Sequence, residues 1–202
     1  MEIARVHYIT NTITGLEPLL NAGLDWVQLR VKGQTEQQLY SLADKFVALC
    51  EKYGAFSIIN DYPALVKKVG ADGVHLGKED MSVADARKIL GEDFIIGGTA
   101  NTIEDIEHLS ESKVDYIGLG PFRFTKTKTN LSPVLGLKGY EDIIQQCQQL
   151  GIHIPIIAIG GIVPADLEAL YQTGIHGVAV SSAIASAKNP TEEYKLFRSV
   201  NV

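Results

Sequence analysis

Two aspartates and a small set of cations stand at the ends of strand-like runs in this chain. Asp61 closes Phe56-Ser57-Ile58-Ile59-Asn60-Asp61, and Asp80 follows Gly73-Val74-His75-Leu76-Gly77-Lys78-Glu79. Arg30 and Lys32 end another run, Gln28-Leu29-Arg30-Val31-Lys32, while Lys128, with Lys126 beside it, lies in a Thr/Lys-rich stretch. Few carboxylates beside several cations suit a diphosphate carried with Mg2+, an ion that takes one or two carboxylates and completes its octahedron with water and phosphate oxygens. A second anion site of different character is suggested by Ile159-Gly160-Gly161-Ile162 and Val180-Ser181-Ser182-Ala183. Small residues after two apolar runs let a phosphate approach backbone N–H groups closely, as happens after strands seven and eight of a (β/α) barrel.

Such residues converge only if their strands are parallel and their ends share one face. Apolar, β-branched runs are found at 4–10, 26–30, 56–60, 73–76, 94–97, 115–119, 154–159 and 177–181, with amphipathic stretches between them. In 34–53, for example, Leu39, Leu42, Phe46 and Leu49 share one helical face. Ala22-Gly23-Leu24-Asp25-Trp26-Val27, Val69-Gly70-Ala71-Asp72-Gly73-Val74 and Thr173-Gly174-Ile175-His176-Gly177-Val178 repeat one helix-to-strand joint, with Gly where a helix ends and a strand restarting about two residues later. About eight strands, nearly all followed by helices, favour a (β/α)8 TIM barrel, an α/β fold in one domain over 1–202, above an open flavodoxin-like sheet. The stretch 121–140 has no helical period and reads as a mobile lid over the active site.

Composition narrows the partners. The 202 residues are 46% hydrophobic and carry a formal net charge of -6, with no basic stripe to track a polyanion, so nucleic acid is not expected. No stretch approaches the roughly 18 apolar residues of a membrane span, and Met1 to Thr10 lacks the apolar core of an export signal. Cys50 and Cys147 have neither a disulfide nor a zinc spacing, and a reducing cytoplasm is the expected location.

Each candidate also has a plainer reading. Asp61 could cap a helix starting near Pro63, and Asp80 one spanning 82–90. Lys126 and Lys128 could be solvated loop residues. His75 reads as a packed or hydrogen-bonded strand histidine, because no second His stands at a ligand spacing. No nucleophile and base pair is evident.

From His7-Tyr8-Ile9-Thr10 to Ser182-Ala183-Ile184 the chain resembles the thiamine phosphate synthase family. The resemblance is carried by Gln28-Leu29-Arg30-x-Lys32, Ile59-Asn60-Asp61, the run from Gly70 to Met81, Gly118-Leu119-Gly120-Pro121, Thr125-x-Thr127-Lys128 and Ala158-Ile159-Gly160-Gly161-Ile162. It implies joining of a hydroxymethylpyrimidine diphosphate to a thiazole phosphate, with loss of diphosphate and, from a carboxylated thiazole, of carbon dioxide. By this resemblance Gln28, Arg30, Lys32, Asn60 and Thr99 hold the pyrimidine substrate, Thr99 standing where Ser is usual. Asp61 and Asp80 hold Mg2+, and Thr125, Thr127 and Lys128 cover both substrates. Gly160, Gly161, Ser181 and Ser182 hold the thiazole phosphate. Arg30, Lys32 and Lys128 would act in catalysis by neutralising the departing diphosphate, so that no protein base is needed. Family members are often oligomeric, which admits a homo-oligomer, although the sequence itself carries no interface signal.

The chain departs from the family pattern at three places. Val31 replaces an acidic residue, Asn101 stands where His is common, and Arg123-Phe124 replace an aliphatic or aromatic residue followed by Pro. Two alternatives are a thiazole tautomerase, whose His just after strand six is here Pro121, and a non-catalytic barrel that senses thiamine phosphate. The retained Asp61, Asp80 and Lys128 argue against both.

Overall fold

The computed structural model describes residues 2–124 and 133–199. Eight parallel strands form one closed barrel in sequence order: β1 Val6–Thr10, β2 Trp26–Leu29, β3 Phe56–Asn60, β4 Gly73–Leu76, β5 Ile95–Ala100, β6 Tyr116–Leu119, β7 Ile156–Ile159 and β8 Gly177–Val180. Closure is made by β8 on β1, with Val6, His7 and Tyr8 opposite Val178, Ala179 and Val180. The (β/α)8 reading of the sequence is therefore the architecture observed.

The helices are α1 Leu16–Asn21, α2 Glu36–Tyr53, α3 Pro63–Val69, α4 Val83–Leu90, α5 Ile103–Glu111, α6 Gly136–Gln149, α7 Leu167–Gln172, α8 Ser182–Ala185 and α9 Pro190–Arg198. Local chemistry starts several of them. Thr35 with Gln38 and Thr102 with Asp105 form capping boxes at α2 and α5, and the Ser82 hydroxyl accepts from the Asp85 N–H at α4. Each of the three joints read from the sequence has its Gly in a left-handed conformation, at φ 92° for Gly23, 71° for Gly70 and 95° for Gly174.

A large apolar layer between strands and helices surrounds a smaller core inside the barrel, built on Ile3, Trp26, Ile58, Ile95, Tyr116, Ile157 and Ala179. Residues alternate along each strand, so the inward positions of β2 to β6 include Gln28, Asn60, His75, Thr99 and Tyr116. Large rings fill this interior because neighbouring strands supply glycine. A Cβ on Gly97 would lie 2.2 Å from the Tyr116 ring, and one on Gly118 would lie 3.1 Å from the His75 ring.

Two boundaries differ from the sequence expectation. Strand β5 continues to Ala100 through Gly97-Gly98, a pair that reads as a stop but is needed to clear the Tyr116 ring on one face and the Leu109 side chain on the other. Helix α6 opens at Gly136, so the last residues of the 121–140 stretch expected to be loop belong to a helix. Its Leu135 and Gly136 N–H groups are held by the carbonyls of Pro121 and Phe122 at 2.9 and 3.0 Å.

Candidate active site

A cavity of about 550 Å³ opens at the C-terminal ends of the strands. Strands β2 to β4 line one side of it. Gln28 and Asn60 are buried in its floor, while Arg30, half-buried, and Lys32, exposed, stand at its edge. Neither Arg30 nor Lys32 forms an ion pair with a described residue; their positive charges act on the Asp61 carboxyl. Lys78, by contrast, is spent on Asp105 at 2.6 Å.

Asp61 and Asp80 meet on this side. Asp61 occupies a left-handed conformation, φ 73°, which a short polar side chain tolerates better than most. Its N–H continues the β3–β4 ladder to the His75 carbonyl at 3.0 Å, and its carboxyl comes within hydrogen-bonding reach of Asp80. The capping alternatives fail for both. Tyr62 stands at the N-cap of α3 without a side-chain bond, Ser82 caps α4, and Asp80 instead accepts the Gly77 N–H at 2.7 Å across the β4 turn.

Burial, then the neighbouring Asp80 carboxyl, pushes the Asp61 carboxyl up to about 6, and Lys32 and Arg30 only partly offset this. Two acidic groups held against each other in a partly buried corner are a poor arrangement for a protein alone and a good one for a divalent cation. No group of three or more metal-ligating His, Cys, Asp or Glu occurs among the described residues. The pair therefore fits an oxygen-preferring ion whose remaining ligands come from water and substrate.

The opposite side of the cavity is built differently. Gly160 and Gly161 follow β7 with φ 110° and 67°, and a Cβ on either would strike the segment after β6: Pro121 Cα at 2.8 Å for Gly160, Arg123 Cγ at 2.5 Å for Gly161. Glycine is required here for both conformation and close approach. Ser181 follows β8 and stands at the N-cap of α8, with Ser182 in the first turn, where backbone N–H groups have no intrahelical acceptors.

Arg123 ties this side together. Its guanidinium takes Asp166 in a bidentate pair, Nη1 to Oδ2 at 2.8 Å and Nη2 to Oδ1 at 2.7 Å, and Nη1 also donates to the Gly161 carbonyl at 2.7 Å. The Arg123 N–H donates to the Gly160 carbonyl at 3.0 Å. The sequence marked Arg123 only as a departure; nothing local to it announces Asp166, more than forty residues away.

A family model described as thiamine monophosphate synthase matches residues 3–184. The chain belongs to the thiamine monophosphate synthase family. A thiamine-phosphate synthase of Phocaeicola vulgatus is 52% identical over 176 residues, covering 87% of this chain and 85% of that protein. One from Flavobacterium johnsoniae is 49% identical over 185 residues, covering 92% and 87%. The solved thiamine phosphate pyrophosphorylase of Pyrococcus furiosus superposes with a TM-score of 0.84 at 27% identity, covering 96% of this chain and 93% of that one.

Of the family positions read from the sequence, Gln28, Arg30, Lys32, Asn60, Asp61, Asp80, Thr99, Gly160, Gly161, Ser181 and Ser182 all line the one cavity. Thr125, Thr127 and Lys128 lie outside the described residues, as do residues 125–132 of the 121–140 stretch read as a lid. Asn101 lines the cavity too, and its side-chain amide donates to the Gly120 carbonyl. Sequence reasoning missed Tyr116. Its signal was present in the inward register of β6 and the opposing Gly97, but it becomes legible only once the strands are paired.

Proposed function

We propose that this chain makes thiamine phosphate by joining 4-amino-2-methyl-5-hydroxymethylpyrimidine diphosphate to a thiazole phosphate. One observation carries the reading. The cavity has a charged side, where Asp61 and Asp80 meet near Arg30 and Lys32, facing a neutral side of glycines and serines suited to a monophosphate. Membership of a thiamine-phosphate synthase family supports the same transferase activity.

In this reading Asp61 and Asp80 would hold Mg2+, which when bound supplies positive charge to the diphosphate leaving group. Arg30, Lys32 and Lys128 add fixed charge to the same oxygens, where preorganised donors lower the cost of charge developing in the transition state. The methylene C–O bond breaks with its electron pair leaving on diphosphate, and the electron-rich aminopyrimidine delocalises the resulting cation. The lone pair of the thiazole nitrogen then forms the new C–N bond, and a carboxylated thiazole loses carbon dioxide afterwards. Gln28, Asn60 and Thr99 orient the pyrimidine; Gly160, Gly161, Ser181 and Ser182 fix the thiazole phosphate; Thr125 and Thr127 help exclude water that would trap the cation. Two buried, unbridged cysteines and a biosynthetic role support a cytoplasmic location within the same proposal.

Diphosphate release from the purified chain tests this directly. Release is expected only with both substrates and a divalent cation together. No release with both substrates and magnesium present would overturn the reading.

A further inference from the structure

Lys78 lines the cavity from the turn that carries Asp80. The turn is tight: the Asp80 carboxylate folds back to accept the Gly77 N–H at 2.7 Å, and a Cβ on Gly77 would lie 2.8 Å from the same oxygen. An ammonium on a flexible four-carbon stem, with Asp61, Glu79 and Asp80 lining the same cavity, would ordinarily settle on those carboxylates. It is turned the other way. Lys78 Nζ lies 2.6 Å from Oδ2 of Asp105 in the first turn of α5, and among the described residues Asp105 alone pairs with it.

Asp105 can hold the lysine because its own position is fixed. It is the third residue of the α5 capping box: Oδ2 accepts the N–H groups of Asn101 and Thr102 at 2.8 and 3.1 Å, and the Asp105 N–H donates to the Thr102 hydroxyl at 3.3 Å. The Asp105 side chain is 21% exposed and that of Lys78 44%, so the carboxylate is the anchor and the ammonium is the group free to swing. Asp105 itself does not line the cavity, whereas Lys78 and Asn101 do.

We propose that Asp105 is a positioning residue that keeps the Lys78 ammonium off the Asp61–Asp80 corner and so leaves that corner open to a divalent cation. The inference rests on the metal-holding role proposed above for Asp61 and Asp80. Without the Asp105 charge, Lys78 would turn to the two carboxyls and neutralise them, and its ion pair would have to break before they could hold the cation.

Asp105→Asn removes the charge and keeps an oxygen for the N–H groups that start α5. Titration of the full chain with Mn2+ alone, followed by loss of the free-ion electron paramagnetic resonance signal, should show binding about fivefold weaker than in wild type, the scale of one partly exposed ion pair broken first. The weakening should persist at about 0.3 M salt, where a charge acting only from a distance is screened. The Mg2+ concentration for half-maximal diphosphate release should rise by a similar factor. Lys78→Met should bind Mn2+ no more weakly than wild type, and Lys78→Met combined with Asp105→Asn should recover wild-type binding, which a merely damaged helix cap would not allow. Equal Mn2+ binding in Asp105→Asn and wild type, a difference that vanishes in salt, or a double variant as weak as Asp105→Asn would overturn the proposal. Mn2+ that fails to bind wild type, or binds wild type and Asp61→Asn alike, would sink the reading of the corner itself, and this inference with it.

Discussion

The two sides of the cavity are suited to anions by different physics. On the β2–β4 side the groups are charged and their geometry is conditional: Asp61 and Asp80 crowd each other, and Arg30 and Lys32 have no ion-pair partner among the described residues. On the β7–β8 side the backbone makes the site and its parts are already satisfied, with Gly160 and Gly161 pinned by Arg123, itself neutralised by Asp166. A group that departs with developing negative charge needs unspent charge around it, whereas a phosphate that stays on its substrate needs only a shaped recess. In the proposed reaction the difference separates a catalytic side from a holding side within one pocket.

Substitutions on the charged side should therefore act on turnover. Asp61→Ala, and Lys128→Ala by the role proposed for it rather than by any position in the cavity, should each lower kcat by about two orders of magnitude or more, the scale of losing one partner of a charge that develops in the transition state. Diphosphate release under saturating substrates measures this, and near-normal kcat in either folded variant would remove that residue from the catalytic set.

Changes on the neutral side should act on binding and be smaller. Gly161→Ala must place a Cβ at φ 67° and 2.5 Å from Arg123 Cγ, so the turn has to shift. The KM for the thiazole phosphate should rise about tenfold, corresponding to the 1–2 kcal/mol of such backbone strain. Arg123→Gln keeps the glycines but loses the bidentate pair, which is partly solvent-exposed; a rise of only a fewfold in the same KM is expected from such pairs. If either variant instead lowered kcat with KM unmoved, the division of the pocket into a turnover side and a binding side would be wrong.

How much of this was legible beforehand follows the range of each interaction. The barrel was readable because strand alternation, helix periodicity and the Gly23, Gly70 and Gly174 joints are local. The cavity residues could be found because barrel geometry brings strand ends to one face, and that rule needs no coordinates. What stayed hidden depends on pairing between distant segments. The Arg123–Asp166 clamp joins residues on different loops, the hydrogen bonds from His75 to Tyr116 and Thr99 need the β4–β6 register, and the β5 glycines look like a stop until the Tyr116 ring is placed against them.

The smallest effect separates stability from activity at one residue. Burial and Asp80 hold the Asp61 carboxyl near 6 in the folded chain, against about 3.8 when it is exposed. Between those values the unfolded chain gives up the proton while the folded chain keeps it, so stability falls as pH rises from about 4 to about 6 and stays lower above that. The full shift would correspond to about 3 kcal/mol, but Asp61 is only half-buried, and screening by water reduces the expected loss to about 1 kcal/mol. Asp61→Asn keeps a short polar side chain suited to φ 73° and cannot ionise. Metal-free Asp61→Asn should unfold about 1 kcal/mol later than wild type at pH 7.5, equal it at pH 4, and make almost no product. Urea unfolding at the two pH values, with diphosphate release measured alongside, checks all three. Equal stability at both pH values would mean that the carboxyl corner carries no electrostatic strain, and the contrast between a poised charged side and a satisfied neutral one would lose its physical basis.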